Sequence, residues 1–152
     1  MSVSHGHKRS FWQRHSLSLV TSGVLILWIC LYARSSPSTH WGSFFGNAIA
    51  DWSGTVIMVF ATKYLYEKGS AESRPLPKDM LLGPVWELLR EHSLSIFLLV
   101  TGLGWLWVYA RVDSESKWGQ VVGNILSEWL QIFMLVILTK RLIERHSKES
   151  KR

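Results

Sequence analysis

Long stretches of the chain carry no charge, and nearly all the charged residues fall between them. Leu17–Ala33, Leu94–Ala110 and Trp129–Thr139 contain no Asp, Glu, Lys or Arg. Runs such as Val24-Leu25-Ile26-Leu27-Trp28-Ile29 show no alternation of period two, so the pattern predicts helices and no half-buried strands. Four apolar segments emerge, about 16–33, 41–62, 93–110 and 118–139, of 18, 22, 18 and 22 residues. At a rise of ~1.5 Å per residue, about 20 residues cross a hydrocarbon core of ~30 Å. The first and third segments barely reach, and the second and fourth have length to spare for tilt. Inside lipid only helices and closed barrels satisfy every backbone amide and carbonyl. The expected fold is therefore an all-α integral membrane protein with four transmembrane helices.

The four segments come from a repeat. Shifted by 77 positions, residues 15–73 fall on 92–150 without a gap, and 21 of the 59 pairs are identical. Chance pairing at average composition gives roughly four. His15-Ser-Leu-Ser18 meets His92-Ser-Leu-Ser95, Tyr32-Ala-Arg34 meets Tyr109-Ala-Arg111, and Gly46-Asn47 meets Gly123-Asn124. Thr62-Lys63 meets Thr139-Lys140, and Glu67, Ser70, Glu72 and Ser73 meet Glu144, Ser147, Glu149 and Ser150. The organisation predicted is an N-terminal tail (1–14), repeat one (15–73), a linker (74–91) and repeat two (92–150) with a basic C-terminal tail. Pro75, Pro77, Gly83 and Pro84 break the linker. A unit of two spans returns the chain to its starting side, so two tandem units run in parallel. Their pseudo-two-fold axis then lies along the membrane normal.

The duplication also removes two simpler readings. Lys8, Arg9 and Arg14 before the first apolar run are how a cleavable signal begins, but the same run recurs at 92–111, where no signal is cleaved. A soluble four-helix bundle needs a polar stripe on every helix, and 16–33 has none. The lone cysteine, Cys30, lies inside an apolar run, which excludes a disulfide-stapled scaffold. Leu, Val, Ile and Trp in this quantity exclude a disordered chain.

Charge then sets the orientation. Of the 17 Lys and Arg, 14 lie in the two tails and the central segment 63–90, and three (Arg34, Arg111, Lys117) in the short hairpin loops. The positive-inside rule places both termini and the linker in the cytoplasm. The net charge of +6 is thus a topology signal that suits anionic lipid headgroups at the cytoplasmic face, with no nucleic acid as partner. Trp28, Tyr32 and Trp41, with Trp105, Tyr109 and Trp118, bracket the outer loops at headgroup depth. Phe11, Trp12, Val85 and Trp86 precede the first helix of each unit and suit the inner leaflet.

Candidate chemistry is confined to the second helix of each unit. Gly42, Gly46, Ala50 and Gly54, matched by Gly119, Gly123, Ser127 and Gln131, form an edge of mostly small residues that lets helices approach closely, and the two second helices are expected to meet through Gly42/Gly46 and Gly119/Gly123. Beside them run Asn47 and Asp51, matched by Asn124 and Glu128, each pair spaced i,i+4 on one face. Asp51 lies ten residues from Trp41 and twelve from Lys63, near mid-bilayer. A carboxylate there costs on the order of 2.5–3.5 kcal/mol on insertion scales, so it faces the bundle interior or water. At least one of the two acids is expected to hold a proton at pH 7 and to hydrogen-bond Asn47 or Asn124. Two roles follow: packing polar groups, or a paired acid site for a proton or small cation. His5 and His7 lack further ligands at metal spacing, so neither metal nor cofactor is expected. Ser16 and Ser93 read as helix N-caps beside His15 and His92. No P-loop, nucleotide fingerprint, HExxH or Ser-His-Asp pattern is present, so enzymatic function is not expected.

Asn124-Ile-Leu-Ser-Glu128-Trp-Leu-Gln131, the two His-Ser-Leu-Ser starts and Lys68-Gly-Ser-Ala-Glu-Ser73 resemble a family of uncharacterised bacterial multipass membrane proteins, a domain of unknown function. Repeat one departs from that pattern at Asn47-Ala-Ile-Ala-Asp51-Trp-Ser-Gly54, which lacks the Ser and Gln. The resemblance implies bacterial origin and an inner-membrane location, and no reaction. Two functions are expected: a non-enzymatic membrane scaffold or accessory subunit, as a homo-oligomer or with a membrane partner, or a small proton or cation channel or carrier using Asp51 and Glu128.

Overall fold

The computed structural model describes residues 11–74 and 83–142. The N-terminal tail with His5 and His7, the prolines at 75 and 77, and the end of the basic tail lie outside the described residues. Five helices follow in order: α1 (Phe11–Arg34), α2 (His40–Tyr64), α3 (Pro84–Glu91), α4 (Ser93–Tyr109) and α5 (Lys117–Leu138). No strand occurs among the described residues. Three helical stretches, His15–Arg34, α2 and α5, are long and apolar enough to cross a membrane, and α3 with α4 makes a fourth when the bent pair is taken as one span.

The predicted segments 16–33, 41–62, 93–110 and 118–139 coincide with α1, α2, α4 and α5 to within a few residues at each end. The linker differs. Its last part is helical, because Pro84 sits at the first helical position, where no amide hydrogen is needed, after Gly83 at φ +111°. Val85, Trp86, Leu88 and Leu89 make one face of α3 and are exposed, with Glu87, Arg90 and Glu91 on the other side. The chain then turns by 64° into α4.

The central pair is α2 and α5; α1 packs on α2 and α4 on α5. Ile49, Ala50, Val121, Ile125 and Trp129 fill this small core, with Tyr32, Leu94, Leu98 and Val136 the most deeply buried large side chains. Leu17, Val20, Ile26, Leu27, Leu99, Val100, Leu103 and Leu106 point outward. Apolar surface on this scale is a surface for lipid or for another protein, since water-facing monomers rarely show it.

The glycine edges work differently from the expectation. Gly42 and Gly119 each close a hairpin, α1–α2 and α4–α5: a Cβ on Gly42 would overlap the Ser36 carbonyl oxygen, and one on Gly119 the Asp113 carbonyl oxygen. Their amides bond the N-cap hydroxyls, Gly42 to Thr39 at 3.1 Å and Gly119 to Ser116 at 3.0 Å. Gly46 lies against the Tyr32 ring of α1 and Gly123 against the Tyr109 ring of α4. A turn of so few residues forces its closest approaches within the hairpin. Of that stripe it is Gly54 that meets the other helix, its face receiving Ile132 of α5.

The serine caps are also replaced. α1 begins at Phe11 and runs straight through Ser16, while Ser93 bonds the backbone of Tyr66 and Arg90 rather than its own helix. At the end of the bundle where α1 turns into α2, the two hairpins are tied through Lys117. The Tyr32 hydroxyl donates to the Lys117 carbonyl at 2.6 Å, and the Lys117 ammonium donates to the Ala33 and Ser35 carbonyls at 3.1 and 2.5 Å. A cation at the C-terminal end of α1 also suits its helix dipole.

Candidate functional site

The seam between α2 and α5 carries the polar stripe. Asn124 Nδ2 donates to Asn47 Oδ1 at 2.6 Å, joining two residues 77 positions apart. The asparagines therefore bond each other rather than the acids they were expected to hold. The bond uses one donor of Asn124 and one acceptor of Asn47 at an exposed part of the seam, and in a membrane such a pair contributes about 0.6–2 kcal/mol. Asn124→Leu and Asn47→Leu are each expected to lower stability by about that much, and the double variant to lose less than their sum. A cycle of SDS-induced unfolding in mixed micelles measures this; strict additivity would mean the bond contributes nothing.

One turn further on, Asp51 and Glu128 open onto a crevice of about 330 Å³. Met58, Val59, Ile132 and Leu135 line its walls, and Glu72, from the segment after α2, lines it as well. The space exists because residue 54 is glycine: a Cβ there would lie 2.8 Å from Ile132 Cδ1 and 3.6 Å from Glu128 Oε2. Asp51 is exposed and Glu128 half-buried. Hence one crevice holds three carboxyls, two near mid-helix and one from the segment after the helix end. The carboxylates suit a cation or protons. Among the described residues, no three His, Cys, Asp or Glu are placed to hold a metal ion. The sequence singled out Asp51, Glu128, Asn47 and Asn124, and the structure brings all four to one seam. It did not assign Glu72, whose only signal was its repeat mate Glu149.

A second polar cluster lies at the other end of the tail that follows α2. The Glu67 side chain is fully buried and accepts hydrogen bonds from His92 Nδ1 at 2.7 Å, the Ser95 amide at 2.9 Å and the Lys140 ammonium. Leu94 N–H bonds the Tyr66 carbonyl at 3.0 Å, Lys68 N–H bonds the Glu91 carbonyl at 2.8 Å, and the Ser70 hydroxyl meets Thr139 at 2.9 Å. Thus the tail of the first hairpin caps the first helix of the second. Burial pushes the Glu67 carboxyl up, but the bonds from His92, Lys140 and Ser95 outweigh it and hold the group below the ordinary glutamate range. His92, Lys140 and Glu67 each stand in repeated motifs, which was the signal available, but nothing in the spacing says that one unit's Glu meets the other unit's His and Lys.

The chain matches no known protein family, no curated protein and no solved structure. Function therefore has to be read from the geometry of this molecule.

Proposed function

We propose that the protein is a multipass protein of the bacterial inner membrane in which a proton or small cation is taken up between α2 and α5, as a small channel or carrier. In this reading α1, α2, the bent α3–α4 pair and α5 are four spans. They come from two tandem repeats about an axis along the membrane normal, with both termini cytoplasmic. The bacterial setting follows the family resemblance, and the orientation follows the 14 basic residues outside the hairpin loops.

The observation that carries the reading is the crevice shared by Asp51, Glu128 and Glu72. Helix glue is supplied by the Asn47–Asn124 bond, so the two acids are not needed for it. Carboxyls kept at such depth without a packing role are costly, and in membranes they mark ion and proton paths. Glu72, on the segment that follows α2, gives the path an acidic entrance on the cytoplasmic side.

The second reading, a non-enzymatic scaffold or accessory subunit, is favoured by the exposure of Asp51. A mid-membrane carboxyl that is exposed on one chain is covered, in that case, by a second copy or by a partner. Flux of H⁺, K⁺ and Na⁺ in proteoliposomes separates the two. Transport requires measurable flux for one of these ions by the wild type and at least about a tenfold drop for Asp51→Asn/Glu128→Gln, the size of effect that about 1.4 kcal/mol produces. A wild type that is silent for all three ions, or a double variant that matches it, discards transport and leaves the scaffold.

A further inference from the structure

Between α4 and α5 a groove of about 290 Å³ opens to the outside of the molecule. Leu99, Leu103 and Leu106 wall it on one side, and Leu126, Leu130 and Phe133 on the other. Its floor is Gly102 against Trp129, where a Cβ at 102 would lie 3.3 Å from Trp129 Cδ1. Trp129 is held in place below the groove: its Nε1 donates to Thr101 Oγ1 at 2.9 Å and its ring lies against that of Trp105. The residue 77 positions before Gly102 is Leu25, which packs against the core. Where the first helix pair has a leucine turned inward, the second has no side chain.

One edge of the groove leads to a charge. Leu99, Leu103, Trp107 and Arg111 follow at four-residue spacing along α4 and just past its end, so they stack along one side of the helix. The Arg111 guanidinium is exposed and lies over the Trp107 ring, 5.1 Å from its centroid. Asp113, two residues on, turns its carboxylate to the Glu115 amide of its own loop at 3.0 Å. The same stripe 77 positions earlier reads Ser22, Ile26, Cys30 and Arg34, so the arginine recurs without the ring beneath it. A narrow apolar groove with a cation on a ring at one end complements a long apolar tail that ends in an anion. A helix from a second copy is about 10–12 Å across, too wide to enter a space of this size.

We propose that the α4–α5 groove holds one acyl chain of an anionic phospholipid, with the phosphate at Arg111. The inference rests on the four-span reading of the chain and is independent of transport. Apolar burial alone gives little preference here, because the groove only replaces other lipid tails as surroundings for the chain. Preference comes from the fit of a single chain over Gly102 and from the attraction of Arg111 for the headgroup.

Photolabelling in phosphatidylcholine nanodiscs tests it, using a phosphatidylglycerol with a diazirine in one acyl chain and peptide mass spectrometry as the readout. Label on the groove residues is expected to exceed, several-fold, label on Val20, Ile26 and Leu27, which are exposed on α1. Unlabelled phosphatidylglycerol should compete it away. Gly102→Leu, which fills the groove, should bring its label down to the level of α1. Arg111→Gln should lower the groove label about fivefold, the scale of one basic residue beside charged headgroups. A diacylglycerol with the same diazirine chain should label the wild type as weakly as phosphatidylglycerol labels that variant. Arg111 is exposed and lies beyond the end of α4, so its variant decides the matter if Gly102→Leu does not fold. Equal label on the groove and on α1 overturns the proposal and leaves the membrane reading standing; no label on either overturns both. Label on α1 alone means that another protein surface covers the groove, and the proposal falls. Groove label unchanged in a folded Gly102→Leu, or in Arg111→Gln, overturns it as well, and so does equal labelling by the diacylglycerol.

Discussion

Glu67→Ala is expected to lower stability by about 2–3 kcal/mol, more than any other substitution in the tail between α2 and α3. Removing one partner from a buried ion pair costs about 3–5 kcal/mol, because the other partner is left charged and unpaired. The side chains of Lys140 and His92 are 20% and 36% exposed, so water compensates part of the loss and the lower figure applies. The Ser95 amide loses its acceptor as well. Lys68→Ala is the control, since its bond to Glu91 at 2.7 Å is at the surface, and it should leave the unfolding curve unchanged. Glu67→Gln adds a test in pH. A carboxyl held below its ordinary value in the folded state contributes stability that is fully present above the ordinary glutamate pKa of about 4.3. That contribution is lost as the pH falls through the depressed folded value. The margin of wild type over Glu67→Gln should therefore shrink as the pH falls below the ordinary glutamate value. A margin that grows there instead would show that the carboxyl is not stabilised as an anion.

Gly42→Ala and Gly119→Ala are expected to cost about 3 kcal/mol or more each, at or beyond the upper end of overpacking. In both hairpins the added methyl would fall on a backbone carbonyl oxygen, that of Ser36 or Asp113, which cannot turn aside as a side chain does. Opening the turn to admit it would also pull the Gly42 or Gly119 amide from its cap hydroxyl. Gly23 and Gly104 supply the contrast, because a Cβ at either meets nothing within 4 Å. Alanine there should be neutral or slightly stabilising, since it forms helix better than glycine by up to about 1 kcal/mol. The fraction of helix lost in an SDS titration ranks the four variants. Equal tolerance at positions 42 and 23 would mean that the hairpin is looser than its geometry implies.

The helical class and the positions of α1, α2, α4 and α5 were legible because uncharged runs of about 20 residues have few other uses. The polar seam was legible for a related reason. Asn47, Asp51, Asn124 and Glu128 are conspicuous only because their neighbours are apolar. What the spacing left open was partnership. An i,i+4 pattern places Asn47 and Asp51 on one face, but it does not say whether Asn47 turns to its own acid or to Asn124, and the shorter reach across the seam decides it. The glycine edges were misassigned for a similar reason. Small residues at four-residue spacing announce a close approach without naming what approaches, and here the neighbour is the preceding loop and tyrosine. The helix in Pro84–Glu91 was hidden by its prolines, which act as breakers inside a helix and as starters at its first position. The Glu67 cluster lay further out of reach, since its members come from three separate segments that only the assembled bundle brings together.

The turn at His92 leaves unequal lengths of apolar helix on the two flanks. The stretch of α1 that is long and apolar enough to cross a membrane, His15–Arg34, has 20 residues and is about 30 Å long, and α4, with 17, is about 25 Å. Were both to cross a hydrocarbon core of ~30 Å, the α1 flank would match it and the α4 flank would fall short. α3, leaving at 64° with Val85, Trp86, Leu88 and Leu89 exposed, would then lie along the interface where the deficit falls. Lipids around such a molecule would be compressed beside α4 and at rest beside α1.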